Sequence, residues 1–190
     1  MTTRGKKYDL ATGKLLIAEP FMQDPHFKRS VVLVCDHHQE GTFGLILNKS
    51  LKINITELIH DFPAFESEVF YGGPVHKQSI TFLHDVGHLL QDSIEVARGI
   101  YLGGDYEQLK FLIDTKMIHP HNIRFFLGCS GWGGGQLEDE MELSSWMVGA
   151  VDANYIFNGK RGADLWQQVL QHKGDRYSII AEIPEKVCWS

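Results

Sequence analysis

Residues Ser30 to Asn48 read SVVLVCDHHQEGTFGLILN. Two nearly unbroken apolar runs, Ser30 to Cys35 and Phe43 to Asn48, flank a polar DHHQEGT that supplies a glycine to turn on. Apolar runs of this length, rich in β-branched residues and bounded by turn residues, are strand signals. Their apolarity is continuous rather than alternating, so both faces are covered and the strands sit centrally in a sheet.

Working outward from this pair, EPFMQDPHF (Glu19 to Phe27) holds two prolines that forbid regular structure, and before it Lys14 to Ala18 forms a first strand. Downstream, Asn54 with Glu57 three residues on is a capping box that opens a short helix, ITELIHDF, ending before Pro63. Short strands are expected at Val69 to Tyr71, Ser79 to Leu83, Ile94 to Ala97 and Ile123 to Leu127. Asp105 and Gln108 cap a second helix, with Tyr106, Leu109, Leu112, Ile113 and Met117 on one side at a 3.6-residue period. A last helix spans Ala163 to Lys173, with Leu165, Trp166, Val169 and Leu170 inward and Gly174 as its stop; the tail Tyr177 to Ile183 is read as returning to β. Strands in clusters, interrupted by isolated helices, lack the regular alternation of a doubly wound fold. The expectation is α+β with a mixed sheet, in one domain over residues 1–190 with 1–13 as a flexible or loosely packed lead.

A chain of 190 residues is the size of one domain, and 43% apolar with 22% charged residues is the balance of a globular protein. The net charge of -6 argues against nonspecific nucleic-acid binding, which depends on lysines and arginines neutralising phosphates. The N-terminus has no apolar stretch of signal-peptide or membrane-spanning length, so no membrane association is expected. Cys35, Cys129 and Cys188 are odd in number, far apart and without CxxC spacing, which suggests neither a disulfide framework nor a zinc knuckle. A reducing cytoplasm is the natural compartment.

The richest motif is FLGCSGWGGGQLEDEM, residues 126 to 141. As a nucleophile elbow it places Gly128 correctly before Ser130, but position 132 is Trp where the motif needs glycine. As a phosphate loop it lacks the lysine of one pattern and the third glycine of the other, and Glu138, Asp139, Glu140 and Glu142 would repel a phosphate. Acidic groups in a first helical turn complement the helix dipole, so the plain reading is a strand that turns on glycines and starts a helix near Gly135. The ten histidines include the pairs His37-His38, His84 and His88, and His119 and His121, but none comes with a convincing third ligand; no metal and no cofactor are expected. In DPHFKRS, residues 24 to 30, Asp24 before Pro25 favours a turn, and Arg29 at the mouth of a buried strand needs a carboxylate partner or a ligand anion. An Asp24 to Arg29 pair is the favoured answer. In YGGPV, Gly72 and Gly73 before Pro74 let another backbone approach closely.

Taken in order, LIAEPFMQDPHFKRSVVLVCDHH, GTFGLILN, VFYGGPV and GCSGWGGGQLEDEM with Trp146 beyond resemble the AlgH/YqgE family of small bacterial proteins over nearly the whole chain. The resemblance implies an α+β fold whose mixed, bifurcated sheet curls into a pseudo-barrel with a few peripheral helices. It implies no reaction, cofactor or DNA motif. Some members carry the label of transcriptional regulator, and members tend to be encoded near a Holliday-junction-resolvase-like protein. This chain departs from the family pattern at Cys129, where an aromatic is common, and in YLGGDYEQL after Ile100, where hydroxyl-bearing residues are usual.

Two functional classes follow. A regulatory or interaction module in the cytoplasm would use a protein partner; direct DNA reading is not expected, because no helix-turn-helix with a basic recognition helix is visible. A small-ligand-binding protein or hydrolase would bring Arg29, His37, Asn48, Ser130, Gln136 and Glu138 together at strand ends around a small polar ligand. Trp132 and Trp146 are the residues whose exposure would mark a partner surface. Asp24, Pro25, Gly72, Gly73, Pro74, Gly131 and Gly133 are assigned structural roles, and oligomeric state is left open.

Overall fold

The computed structural model describes residues 8–158 and 163–185. Its strands are β1 (Lys14–Ala18), β2 (Val31–His38), β3 (Gly41–Ile46), β4 (Ser50–Asn54), β5 (Glu68–Tyr71), β6 (Val75–His84), β7 (Ile94–Ala97), β8 (Ile100–Leu102), β9 (Ile123–Gly133) and β10 (Trp146–Ala150). The helices are α1 (Ile55–Leu58), α2 (Tyr106–Asp114), α3 (Gln136–Glu142), α4 (Asn154–Phe157), α5 (Ala163–Lys173) and α6 (Asp175–Ala181). The sheet runs β10-β1-β2-β3-β9-β6-β8-β7, with β4 and β5 branching from β9. It is mixed, because β5 lies parallel to β9 while the other pairs are antiparallel. It curls into a half-barrel with the helices outside.

The fork lies on β9. Its first half, Phe125 to Leu127, pairs with β5, and its second half, Ser130 to Gly133, pairs with β3 on the same side. Between the halves Gly128 takes a left-handed φ of 71°. Gly72 sits in the crotch: its N–H donates to Leu127 O at 2.9 Å, and its carbonyl accepts from Ile46 N at 2.9 Å and from Ser130 Oγ at 3.0 Å. A Cβ on Gly72 would strike the Gly128 carbonyl, and one on Gly73, at φ 149°, would strike the Cys129 backbone and Ser130 Oγ. The YGGPV glycines are therefore required by close backbone approach.

Because β1 and β2 are covered on both faces, their residues divide by parity between two cores. Leu15, Ile17, Val31 and Leu33 pack with Trp166, Val169 and Leu170 of α5, while Leu16, Val32 and Val34 pack with Trp132, Leu137 and Trp146. A third core places Leu109, Leu112 and Ile113 of α2 on Phe82, Ile123 and Phe125. The expected capping box is present: Asn54 accepts from Thr56 N and Glu57 accepts from Asn54 N.

Several expectations need correction. The strand expected to end at Leu127 runs on to Gly133, so the glycines bend it at 128 and turn it only at Gly134 and Gly135. β4 is too polar and β8 too short in pattern to have been read, and β10, which the sequence does not offer as a strand, forms on the edge of β1. The tail is not β but helix α6: Tyr177, Ile180 and Ala181 stand three and four apart and meet the α5 core, leaving Ile179 exposed. Met117 lies beyond the end of α2 and is exposed. In the lead, residues 1–7 lie outside the described residues, but Leu10 is buried and Gly13 N donates to Val34 O at 2.8 Å. Among the described residues no helix is long and apolar enough to cross a membrane.

Two outcomes are expected. Gly73→Ala loses on the order of 3 kcal/mol of stability, combining left-handed strain with a backbone collision, whereas Gly99→Ala, at φ 73° in open space, loses only about 1 kcal/mol; urea melts separate them. His84 is fully buried and its Nε2–H donates to Gly103 O at 2.8 Å, leaving Nδ1 without a partner. Burial pushes its pKa down, against the smaller raising effects of that bond and of Asp85. The unfolded chain thus takes up the proton first, and stability falls as pH drops below the ordinary histidine value of about 6.5. His84→Gln, which cannot charge, flattens the loss of melting temperature between pH 7 and 5.5.

Candidate functional site

The six polar residues proposed for a common site do not meet. Ser130 is fully buried and its hydroxyl donates to the Gly72 carbonyl, a structural bond with no base behind it. Burial raises the pKa of the neighbouring Cys129, and raises that of Cys35 further, so neither thiol is activated. His37 closes the β2–β3 hairpin, with Nδ1 2.7 Å from Thr42 Oγ1 and its backbone N–H on Thr12 Oγ1. Glu138 lies half-buried on α3, outside the cavities described below.

Arg29 and Asn48 do come together, at the start of β2. Asn48 Oδ1 accepts from Val31 N at 2.9 Å, and its Nδ2 donates to Arg29 O at 2.8 Å, which holds Arg29 at φ 50°. The expected Asp24 to Arg29 pair is not made: Asp24 Oδ1 accepts from His26 N at 2.8 Å and closes a turn. The Arg29 guanidinium instead lies 4.4 Å over the Trp166 ring and donates through Nη2 to Ile183 O at 2.5 Å.

Trp132 and Gln136 form a second group, built by the extension of β9. Trp132 points into the core of the sheet face that α3 covers, and there one carboxylate organises the surroundings. Glu140 Oε2 accepts from Trp132 Nε1 at 3.1 Å and from Trp146 Nε1 at 2.8 Å, and Oε1 accepts from Gln136 Nε2 at 3.2 Å. Gln136 also accepts from Gly133 N at 3.0 Å, fixing α3 to the end of the strand. Phe27, at the end of the 24–27 turn, stacks on Trp132 at 5.7 Å and meets Trp146 edge-on at 5.4 Å. The two indoles cross at 85° with centroids 5.9 Å apart.

These three rings wall a cavity of about 500 Å³. Glu19, Asp24 and Glu140 line it together with Pro74, Gly131 and Gln136, and among the described residues no lysine, arginine or histidine does. Glu19 and Asp24 each use one carboxylate oxygen on a backbone N–H, of Phe21 and His26 respectively. Ring faces and carboxylates both favour a positive charge, so the lining suits an organic cation better than an anion.

Trp132 and Trp146 are thus not an exposed patch, at 5% and 3% relative exposure, but the wall of a recess. Phe27, which the sequence offers only as a plug for the core, and Glu140 are the site residues that sequence reasoning missed. Glu140 was one of several acids credited to the helix dipole, although Gln136 and Glu140 stand four apart and so share a helix face. Among the described residues no cluster of three histidine, cysteine or acidic side chains is arranged to hold a metal.

Known proteins give the context. A family model described as AlgH-like matches residues 15–178. A UPF0301 protein from Chlorobaculum parvum is 40% identical over 176 residues, covering 93% of this chain and 94% of that one. Another from Cytophaga hutchinsonii is 41% identical over 176 residues, covering 92% and 96%. Among solved structures, protein DIP2367 of Corynebacterium diphtheriae superposes with a TM-score of 0.75 at 23% identity over 92% of this chain and 93% of that one. The AlgH protein of Pseudomonas aeruginosa gives 0.69 at 24% identity over 97% and 99%, so these two share its fold. With the forked sheet, the glycine crotch and the Trp132 strand in place from end to end, the chain belongs to the AlgH-like family.

Proposed function

We infer that the chain is a binding module that takes a cationic side chain of a partner protein, a guanidinium or an ammonium, into the cavity between Phe27, Trp132 and Trp146. The observation that carries this reading is Glu140: its carboxylate is held by both indole N–H groups in a recess with acids and rings on its walls and, among the described residues, no basic lining residue. The hydrogen bonds preorganise the rings before a ligand arrives, which lowers the entropy cost of binding. A hydrolytic role has less support, because Ser130 donates to a carbonyl and both described thiols are buried with raised pKa values.

A cytoplasmic setting is supported by Cys35 and Cys129, which are buried free thiols of a kind kept reduced there. Any regulatory role would run through a partner rather than through DNA. Lys110 of α2 is engaged by Glu107 at 3.0 Å, and Lys173 of α5 donates to Val148 O at 2.6 Å, so these helix cations serve the fold. A gel-shift assay at moderate salt is expected to show no sequence-specific complex, and a tight, salt-resistant one would overturn this view.

Cation capture is tested by NMR. An arginine-containing peptide is expected to shift the Trp132 and Trp146 indole N–H resonances, while the same peptide with neutral citrulline leaves them in place. Glu140→Gln keeps an acceptor for the indoles but removes the charge, so it changes stability by less than about 1 kcal/mol while weakening binding about tenfold. Glu140→Ala strands two buried donors and loses on the order of 3 kcal/mol. Indole resonances that ignore the charged peptide would end this reading.

A further inference from the structure

The turn at 24–29 has a second side. Asp24 and Phe27 line the aromatic recess, but Pro25, Lys28 and Arg29 line a separate cavity of about 250 Å³, completed by Asn48, Lys49 and Glu185. The two cavities have opposite charge. Among the described residues three cations and one carboxylate line the smaller one, and that carboxylate, Glu185, lies 3.3 Å from Lys28 Nζ.

Arg29 is the residue left uncompensated. It is 92% buried by its 8% relative exposure, yet the groups that hold its guanidinium are neutral: the Ile183 carbonyl and the Trp166 ring. Its Nε is buried without a hydrogen-bond partner. A buried guanidinium ordinarily sits on a carboxylate or phosphate, and Asp24, five residues away, is turned to His26 N instead. The backbone holds Arg29 in a left-handed conformation that a long side chain adopts at a cost, kept there by the buried Asn48 amide.

Lys49 adds a second fixed charge. Its ammonium donates to Pro25 O at 3.1 Å and His26 O at 2.7 Å, which pins it to the turn with one of three N–H donors uncommitted. Burial lowers its pKa, with smaller opposing effects from Asp24 across the turn and from Glu185. A counter-anion would restore what burial takes away.

We propose that this cavity binds a phosphate group, with Arg29 and Lys49 as its ligands and Lys28 at the rim. The described lining residues carry a surplus of two positive charges, which a phosphate dianion balances and a single carboxylate half-balances. At about 250 Å³ the space is below the 300 Å³ or so at which drug-sized pockets begin, so it admits the phosphate and the first atoms of whatever bears it. Inorganic phosphate and a small phosphate monoester present the same oxygens. This site is independent of the cation recess, and either can fail without the other.

The test is calorimetric titration of the full chain at constant ionic strength with inorganic phosphate, glycerol phosphate and acetate as separate probes. Phosphate is expected to bind and to raise the melting temperature, and its affinity is expected to rise as pH passes about 6 and the dianion forms. Tighter binding of glycerol phosphate than of inorganic phosphate identifies an esterified ligand, and the reverse identifies free phosphate; either supports the site. Lys49→Gln weakens phosphate about tenfold, and Arg29→Lys weakens it by a comparable factor because the guanidinium fork is lost. If the Arg29 variant does not fold, Lys49→Gln alone decides. Equal heat from acetate, or variants that bind phosphate as the original chain does, overturns the proposal.

Discussion

The structure depends on backbone meeting backbone where no side chain fits. At Gly72 and Gly73 the chain leaving β5 crosses the bend in β9 so closely that a single Cβ would strike Gly128 or Cys129. Hydrogen bonds from Gly72 to both Leu127 and Ile46 let one residue serve two strands at once. That contact allows β3 and β5 to share one edge of β9.

The site follows from the fork. Beyond the bend, β9 is released from β5 and carries Trp132 on to the face under α3, where Glu140 ties it to Trp146 on the edge strand β10. The 24–29 turn sets Phe27 against both indoles and Arg29 on Trp166. One turn of six residues thus walls an acidic recess with one side and a basic one with the other. Its side chains alternate in role because Asp24 closes the turn on His26 N rather than reaching across it to Arg29.

Much of this fold was written in the sequence at short range. The continuous apolarity of Val31 to Val34 means burial on both faces, and the two cores that divide these residues by parity are its realisation. Asn54 and Glu57 encode a capping box that needs only four residues to exist. What was hidden depended on distant partners. Tyr177, Ile180 and Ala181 form a helix face only against α5, and β10 is a strand because β1 offers it hydrogen bonds. Within the site, the sequence singled out Arg29 as a residue in need of a partner and named Trp132 and Gln136 as candidate contact residues. It had no means to choose those partners, because Glu140 is one acid among several, and the groups on Arg29, Trp166 and Ile183, come from the far end of the chain.

That last contact has a consequence for how the molecule is completed. The Arg29 to Ile183 bond joins residues 154 apart, and the Trp166 to Ala18 bond joins residues 148 apart. Such contacts require almost the whole chain to close into a loop before they give anything back, and loop closure of that length slows folding. The basic recess therefore has its shape only when the C-terminal helices are docked on the sheet. A chain whose residues 163–185 have not yet packed has its sheet residues but not this pocket, so an anion held there would act only on molecules in which α5 and α6 are in place.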